Sequence, residues 1–474
     1  KVRGFRIEPG EIEAALADNS SVKESLVVAQ NQQLVAYVVP EEAERDLELW
    51  PSVAEFYVYD EALYYAMTHD ERRNAAYVEA IRKYVPGKVV LDIGTGQDAI
   101  LSRLCVAEGA AKVYAIELLE ESYLKAKATI LRHGLEDKIT LIHGNSFEVE
   151  LPEKVDVCVS ELVGAIGGSE GVAKIINDAH RYLKPDGRMI PELSETLIAA
   201  VSLPDSFLEE PGFSRSTANY TQKIFDQVGY PFDLRLCIKG LLYDDIISDA
   251  GMFERLDHRE QVPLEEITPL NLAVNEDSRI DGFLVWLTLI TAEDCTLIDS
   301  LEHVHCWLPV YLPVFDPGVA VSKGDRIEAH ISRTLCDNGL NPDFRVYGKL
   351  IRANGEDIKF DYDCFHYKQQ YRSADFYTRL FANDAIPVAQ SHDAALSAGA
   401  LRNYLLEHLP EHMIPASFVA LNEFPLTPNG KIDRDALPAP GTHKLETDSA
   451  YVAPETAAEQ LLTRVWADLL GTDR

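Results

Sequence analysis

The chain has 474 residues, 46% of them hydrophobic, which indicates a globular protein of about three domains and excludes general disorder. Its formal net charge of −33 argues against nucleic acid and anionic membranes as partners, because both attract basic proteins. The seven cysteines are scattered without a CxxC pair, so we expect reduced thiols in the cytoplasm and no metal site, and no apolar run is long enough to cross a membrane.

The first part of the chain, residues 1–44, is predicted to be a small α/β unit. Its strands are expected at Phe5–Ile7, Ser25–Ala29 and Leu34–Val39, and an acidic helix at Glu11–Leu16. The sequence begins in the middle of a motif and without Met, so we expect it to be part of a longer protein.

Residues 45–192 alternate strands and helices, which predicts a parallel, doubly wound sheet of the Rossmann type. Residues 53–84 have a helical pattern without proline. The strands of the sheet are expected at four short apolar runs, namely Val89–Ile93, Val113–Ile116, Ile139–His143 and Val155–Val159.

Residues 193–388 are rich in predicted strands and lack the helical spacers of the preceding domain. This pattern predicts an antiparallel β-barrel or sandwich. The clearest strands are Glu195–Val201, Gly282–Leu289, Arg326–Ser332 and Phe344–Leu350.

Residues 389–440 are expected to return to α/β structure, with a helix at Ala394–His408, a strand at Ser417–Leu421 and a turn at Thr427–Lys431. A linker rich in Pro, Gly and Thr follows over residues 438–447. The last part, residues 441–474, ends in an amphipathic helix over residues 454–470.

The first strand of the predicted sheet ends in Asp92, Gly94 and Gly96, and glycines there let the backbone approach a ligand closely. Glu117 ends the next strand, where a carboxylate accepts hydrogen bonds from both ribose hydroxyls of a nucleotide. A nicotinamide dinucleotide site has the same pair, but Ala99 stands where a GxGxxG loop has its third glycine. The pattern therefore favours S-adenosylmethionine as the cofactor.

Residues 57–192 resemble the catalytic core of protein arginine methyltransferases. Val89–Gly94 is similar to the first motif of that family, and Glu148–Asp156 followed by Ser160–Leu162 is similar to its later strands. The resemblance implies a methyltransferase that uses S-adenosylmethionine on a Rossmann-like core followed by a β-barrel.

The resemblance also implies which side chains bind the cofactor. Met67 and Arg73, six residues apart on a predicted helix, match residues that cover the cofactor and bind its carboxylate. A guanidinium suits that carboxylate because it donates two parallel hydrogen bonds. Asn145 and Ser146 match positions on the adenine side.

Glu161 and Glu170, nine residues apart, flank the glycine-rich segment Gly164–Gly168. The resemblance implies that this pair clamps the guanidinium of a substrate. Glu161, Glu170 and His305 are the candidates for the catalytic base, with His303 in reserve.

The chain departs from the family pattern at two places. The glycine loop has one extra residue within Gln97–Ala99. In addition, Cys306 occupies the position next to Trp307 where the family has a histidine, so the histidine is displaced to His305. Both departures argue against arginine as the substrate.

The flanks resemble a different family. Lys1–Glu13 is similar to the eighth core motif of adenylation domains in nonribosomal peptide synthetases, Leu409–Pro415 to the ninth and Pro428–Arg434 to the tenth. Tyr451–Pro454 with Trp466 is similar to the start of a carrier domain. The resemblance implies an interrupted adenylation domain, with the methyltransferase inserted into its small C-terminal subdomain.

Within that resemblance, Lys431 is implied to contact the carboxylate and phosphate of the substrate during adenylation. The implied partners are the upstream part of the adenylation domain, an MbtH-like protein, and an aminoacyl group on the phosphopantetheine of a carrier domain. We expect O-methylation of the side-chain hydroxyl of that amino acid, in natural product biosynthesis. Backbone N-methylation is the alternative, and protein arginine methylation and a non-catalytic spacer are alternatives of other classes.

Overall fold

In a computed structural model of the protein, the structure describes residues 9–19, 22–30, 33–40, 47–58, 61–303, 305–353, 355–366, 375–381, 386–387, 398–410, 413–421, 424–425, 434 and 437–438. The strand predicted at Phe5–Ile7, the turn that contains Lys431 and the helix predicted over 454–470 lie outside these residues. The chain divides into two compact units, residues 1–46 with 391–474, and residues 47–390.

The helices are, in chain order, α1 (Pro9–Ala17), α2 (Glu61–Thr68), α3 (Glu71–Tyr84), α4 (Ile100–Ala107), α5 (Glu120–Arg132), α6 (Val172–Ala179), α7 (Asp205–Glu209), α8 (Arg215–Val228), α9 (Asp375–Leu380) and α10 (Ala398–His408). Short 3-10 turns lie at Ala54–Phe56, His180–Tyr182 and Tyr243–Asp245. None of the helices in the described part of the chain is both long enough and apolar enough to cross a lipid bilayer.

The strands are β1 (Val22–Gln30), β2 (Gln33–Pro40), β3 (Glu48–Pro51), β4 (Val89–Ile93), β5 (Lys112–Glu117), β6 (Ile139–His143), β7 (Val155–Ser160), β8 (Leu183–Ile190), β9 (Leu193–Val201), β10 (Leu236–Lys239), β11 (Gly251–Asp257), β12 (Glu266–Ala273), β13 (Ser278–Ile280), β14 (Gly282–Ile290), β15 (Ile298–Asp299), β16 (Val310–Leu312), β17 (Val319–Val321), β18 (Arg326–Leu335), β19 (Pro342–Ile351), β20 (Asp357–Cys364) and β21 (Ser417–Ala420).

The predicted Rossmann-like sheet is confirmed, with five parallel strands in the order β6-β5-β4-β7-β8. Its central strands are apolar over most of their length because both of their faces are buried. Since the strands are parallel, β4, β5, β6 and β7 all end at one edge of the sheet, where a ligand binds in such folds. β8 was not among the predicted strands, because Pro185 and Gly187 interrupt its apolar pattern.

Residues 53–84 contain helical structure, as predicted, but in separate elements. A 3-10 turn at Ala54–Phe56 comes first, and Tyr57 ends that turn in the left-handed conformation with φ 54°. Asp70 then separates α2 from α3, because its side chain caps α3 by accepting a hydrogen bond from the Arg73 N–H at 2.9 Å.

The region after Pro191 is rich in antiparallel β-sheet, as predicted. A seven-stranded sheet runs in the order β11-β9-β14-β16-β10-β3, with β15 paired to β14, and a four-stranded sheet in the order β12-β18-β19-β20. Side chains such as Phe283 on the first sheet and Phe344 on the second share one hydrophobic core. Two helices that the sequence pattern did not reveal, α7 and α8, lie between β9 and β10.

The smaller unit contains a three-stranded sheet in the order β1-β2-β21. β1 and β2 form an antiparallel hairpin, and β21 pairs with β2 in parallel, with Val35 opposite Ser417. Ile12 of α1 and Leu405 of α10 are fully buried in one core beside this sheet. Residues from early and late in the chain therefore build a single folded unit.

Candidate active site

The turn after β4 brings the chain back along the carboxyl edge of the sheet. Gly94 and Gly96 adopt positive φ values of 73° and 67°, and the Gly94 N–H donates to the Ile116 carbonyl at 3.0 Å. A Cβ on Gly94 would lie 2.8 Å from Cδ2 of Leu162, so no larger residue fits without displacing that side chain. The turn therefore exposes backbone where a side chain would otherwise stand.

Substitution of Gly94 tests this close approach. We expect Gly94→Ala to lower the free energy of unfolding by about 1 kcal/mol through its positive φ. We also expect it to weaken S-adenosylmethionine binding about tenfold, because the new Cβ and the displaced Leu162 side chain change the shape of the turn. Gly134→Ala is the matched control, because Gly134 has φ 65° with open space around its Cα. Calorimetric titration of both variants should show weakened binding only in Gly94→Ala, and equal affinities would contradict the expectation.

Glu117 ends β5 beside this turn. Its two carboxylate oxygens accept hydrogen bonds from the N–H groups of Gly96 and Leu119, each at 2.9 Å. The side chain is buried, and burial raises its pKa against the opposing effect of these backbone donors. A carboxylate held in this position suits the ribose hydroxyls of a nucleotide.

Asp92 is fully buried beneath the turn and fixes its shape. Oδ2 accepts hydrogen bonds from the hydroxyls of Thr95 and Ser102, both at 2.6 Å, and from the Ser102 N–H at 3.1 Å. Burial raises its pKa to about 6, against these donors. Oδ1 has no hydrogen-bond partner among the described residues. The Asp92 contacts observed here thus organise the turn.

The end of the turn has an unusual backbone conformation at Ala99. Ala99 adopts the left-handed conformation, φ 46° and ψ 43°, at the position where a GxGxxG loop has its third glycine. Gln97 is buried, and its Oε1 is without a partner in the described part of the chain. The turn keeps the conformation that a glycine would favour although the glycine is absent.

Arg73 lies on the first turn of α3 and is 1% exposed. Its Nη1 donates to Oε2 of Glu161 at 3.3 Å, and its Nε and Nη2 donate to Oδ1 of Asn74. The Glu161 contact is long for a charge-assisted bond, so the guanidinium has capacity for a second carboxylate.

The helix α2, which carries the half-buried Met67, lies over the glycine turn. A ring carbon of Tyr64 is 3.8 Å from the position of a Cβ on Gly96, and the Tyr64 hydroxyl is 2.9 Å from that of Ser122. α2 ends at Thr68, directly before Asp70, the cap of α3 that carries Arg73. No described contact joins Met67 itself to the groups above.

Asn145 and Ser146 follow β6, the neighbour of β5. Oδ1 of Asn145 accepts from the Phe147 N–H at 3.1 Å, and the Ser146 carbonyl accepts from Arg181 at 2.8 Å and from Tyr182 at 2.7 Å. These bonds hold the loop beside Glu117, whose carbonyl accepts from the Gly144 N–H at 3.0 Å.

The two predicted acidic residues lie beyond the end of β7. The Glu161 side chain is 12% exposed, and burial raises its pKa to about 7, against the positive charge of Arg73. Burial also raises the pKa of Glu170 well above its ordinary value, and the charges of Glu161 and Glu55 add to the effect. Near neutral pH the pair therefore holds protons readily, as acid–base groups must.

An aspartate that the sequence did not single out completes the site. Oδ2 of Asp70 lies 3.0 Å from Nδ1 of His305 and accepts from the Cys306 N–H at 3.1 Å. Although burial opposes it, hydrogen bonds from His305 and from the backbone of Arg73 lower the pKa of Asp70 below its ordinary range. The displaced histidine thus forms a buried carboxylate–imidazole pair. The N-cap position of Asp70 was its only signal in the sequence.

His303, the alternative candidate, lies at the surface, and the centre of its ring is 6.5 Å from that of His305. Its side chain is 40% exposed, and its Nε2 is 3.9 Å from Oε1 of Glu302. His305 is buried, so the structure favours His305 for a role inside the site.

The residues at this edge fit S-adenosylmethionine. Arg73 would bind the carboxylate of its amino-acid part, and Glu117 would accept hydrogen bonds from the ribose. Two buried acceptors of the turn, on Asp92 and Gln97, have no partner among the described residues, and Gly94 and Gly96 present backbone without a side chain at the same turn. The donor set therefore matches a ligand with a carboxylate, a ribose and polar hydrogens.

Residues 75–194 match the family described as a methyltransferase domain. The chain is 34% identical over 169 residues to a probable protein arginine N-methyltransferase 6 of Arabidopsis thaliana, and the match covers 35% of this chain and 38% of that protein. It is 48% identical over 89 residues to malpinin synthetase of Mortierella alpina, and the match covers 19% of this chain and 1% of that protein. The chain thus spans less than half the length of either relative.

The fold is similar to the Trypanosoma brucei PRMT1 enzyme-prozyme complex with AdoHcy, with a TM-score of 0.52 and 19% identity over 64% of this chain and 98% of that chain. The predicted cofactor, S-adenosylmethionine, is confirmed. Residues 75–194 thus form a methyltransferase domain on the Rossmann-like core, and a β-sheet-rich second domain follows it. The chain also carries short segments similar to nonribosomal peptide synthetases.

Proposed function

We propose that this methyltransferase transfers a methyl group to the side-chain hydroxyl of an amino acid held on the phosphopantetheine of a carrier domain. It would act as an insert in the C-terminal subdomain of an adenylation domain within a nonribosomal peptide synthetase. The similarity to malpinin synthetase supports this context. The sheet that joins β2 with β21 supports it too, because these strands flank the methyltransferase in the sequence.

The choice of oxygen as the acceptor rests on one observation. The site contains buried acid–base groups, and no cation other than Arg73 is described beside them. A hydroxyl is a poor nucleophile until its proton is removed, and a base works best when its pKa lies near the working pH. Glu161, with a pKa of about 7, meets that condition. The buried Asp70–His305 pair is a second candidate for the base.

The bound cofactor supplies an electrophilic methyl group, and the chain must orient the acceptor for an in-line attack on it. Arg73 holds the Glu161 carboxylate at 3.3 Å and would hold the carboxylate of the cofactor on the same guanidinium. The acceptor proton would pass to Oε1 or Oε2 of Glu161. Burial of Glu161 and Glu170 keeps water from competing for that proton.

Arginine methylation is the second candidate, favoured by the 34% identity to the Arabidopsis relative and by the paired glutamates. A guanidinium remains protonated at all physiological pH values and would require both carboxylates to be ionised. Burial works against that state, because it raises the pKa of Glu161 and of Glu170. Backbone N-methylation of the carrier-bound amino acid would use the same carboxylates to accept a proton from an ammonium group.

The test offers the chain each class of acceptor with S-adenosylmethionine. Carrier domains loaded with serine, threonine or tyrosine are compared with an arginine-rich peptide, and tandem mass spectrometry locates the added mass of one methylene. We expect the label on a side-chain oxygen. A label on the α-nitrogen, or on arginine alone, would replace the proposal by one of the two alternatives.

A further inference from the structure

The glycine-rich segment between the two glutamates is tied to the antiparallel domain through its backbone. The Gly168 N–H donates to Oε2 of Glu254 on β11 at 2.7 Å, and the Gly167 N–H donates to the Thr196 hydroxyl on β9 at 2.9 Å. On the far side, the Ser169 carbonyl accepts from the Asn341 side chain at 2.8 Å.

Glu254 is a charged group inside the protein, with 4% of its surface exposed. Its other oxygen, Oε1, accepts from Nη1 of Arg333 on β18 at 2.8 Å, and that side chain is only 5% exposed. Arg333 also donates to the Pro263 carbonyl and to Glu266. A buried ion pair of this kind contributes little net stability compared with apolar side chains of similar volume.

Glu254 packs so closely against Gly168 that no side chain fits at this position. A Cβ on this residue would lie 2.5 Å from Oε1 of Glu254 and 2.8 Å from Oε2, closer than atoms approach without bonding. Glu170 follows two residues later, and Glu161 precedes the same segment. A movement of Gly168 therefore moves Glu170 relative to Glu161.

We infer that Glu254, held by Arg333, is a positioning residue that sets the separation and direction of the two acidic side chains at the acceptor site. The inference rests on the proposed role of Glu161 and Glu170 in methyl transfer. Glu254 acts through one charge-assisted hydrogen bond to the Gly168 N–H, so this bond, rather than the ion pair as such, is the feature to test.

Two double variants separate the bond from the ion pair. Glu254→Met with Arg333→Met removes both, and replacing a buried pair by apolar side chains of similar volume is often neutral for stability. Glu254→Gln with Arg333→Met also removes the ion pair but keeps an amide oxygen that can accept from Gly168. Glu195→Gln is the control for the surface of the same sheet, since Glu195 pairs with Arg255 at 3.1 Å without touching the loop.

We expect kcat to fall about 10- to 100-fold in the double Met variant, because a displacement of about 1 Å costs about 10²-fold. The Gln–Met variant and Glu195→Gln should stay within about threefold of the wild type, which a purely structural role would not produce. Calorimetry should show unchanged S-adenosylmethionine affinity in all three. Equal kcat values in the two double variants would overturn the inference.

Hydrogen exchange of the amides in residues 164–170 measures the hydrogen bond from the Gly168 N–H to residue 254 without any acceptor substrate. If the Gly168 amide exchanges faster in the double Met variant but not in the Gln–Met variant, the inference is supported even if the proposed acceptor proves wrong. Equal exchange rates in the two double variants would overturn it. If the double Met variant does not fold, Glu254→Asp serves in its place. It keeps the charge but withdraws the acceptor by one methylene, and an unchanged kcat there would likewise overturn the inference.

Discussion

Glu161→Gln is expected to lower kcat by about 10³-fold, because the variant loses the group that accepts the proton of the acceptor. The amide keeps the shape of the side chain and an oxygen for Arg73, so the affinity for S-adenosylmethionine should change by less than about threefold. Single-turnover methyl transfer and calorimetric titration measure the two effects separately. Glu108→Gln is the matched control, since Glu108 also pairs with an arginine, Arg82, but at the surface.

The pH dependence of the methyl-transfer rate tests the same role of Glu161. Burial raises the pKa of Glu161 to about 7, and only its deprotonated form accepts a proton. The wild-type rate should therefore rise with pH through about 7 and level off above it, and fall as pH decreases. Glu161→Gln should lose this limb of the profile. If kcat and its pH profile are unchanged in the variant, Glu161 has no part in the proton transfer.

Arg73→Gln is expected to weaken S-adenosylmethionine binding about 100-fold, because a charge-assisted pair of hydrogen bonds to a carboxylate is lost. Arg82→Gln, on the same helix, removes an exposed guanidinium from an ion pair with Glu108 and should leave the affinity unchanged. Calorimetry of the two variants against the wild type measures the difference. Equal affinities in Arg73→Gln and the wild type would contradict the role of Arg73 in binding the cofactor.

The same substitution should also move the pH profile of Glu161. The positive charge of Arg73 lowers the pKa of Glu161 against the larger effect of burial. Without that charge the pKa of Glu161 rises further, so the rising limb of the rate shifts to higher pH in Arg73→Gln at saturating cofactor. An unchanged limb would show that Arg73 does not interact with Glu161 in the working enzyme.

The residues of the site that could be predicted are those that directly follow an apolar strand in the sequence. The turn at Gly94 and Gly96 directly follows an apolar strand, and Glu117 closes the next one, so parallel pairing alone brings them together. β8 was not predicted, because its proline and glycine interrupt the apolar pattern of a strand. Ala99 breaks the glycine pattern of the loop and yet keeps the left-handed conformation, which the residue type alone does not predict.

Asp70 and Glu254 could not be found in this way. Asp70 meets His305 across a long sequence separation, and Glu254 meets Gly168 from another sheet. A single carboxylate has no periodicity, and its partner is set by how the domains pack rather than by spacing along the chain. The roles of Asp70 and Glu254 follow from their distances to His305 and Gly168 in the structure.

The parallel pairing of β21 with β2 has a consequence for synthesis of the chain on the ribosome. Residues 41–416 separate the two strands, so the hairpin of β1 and β2 emerges long before its third strand exists. Until then the backbone of β2 is an open edge that can pair with another nascent chain. Early collapse of the intervening segment would shorten the distance that closure must span. Slow translation between the two strands should therefore favour aggregation over completion of the sheet.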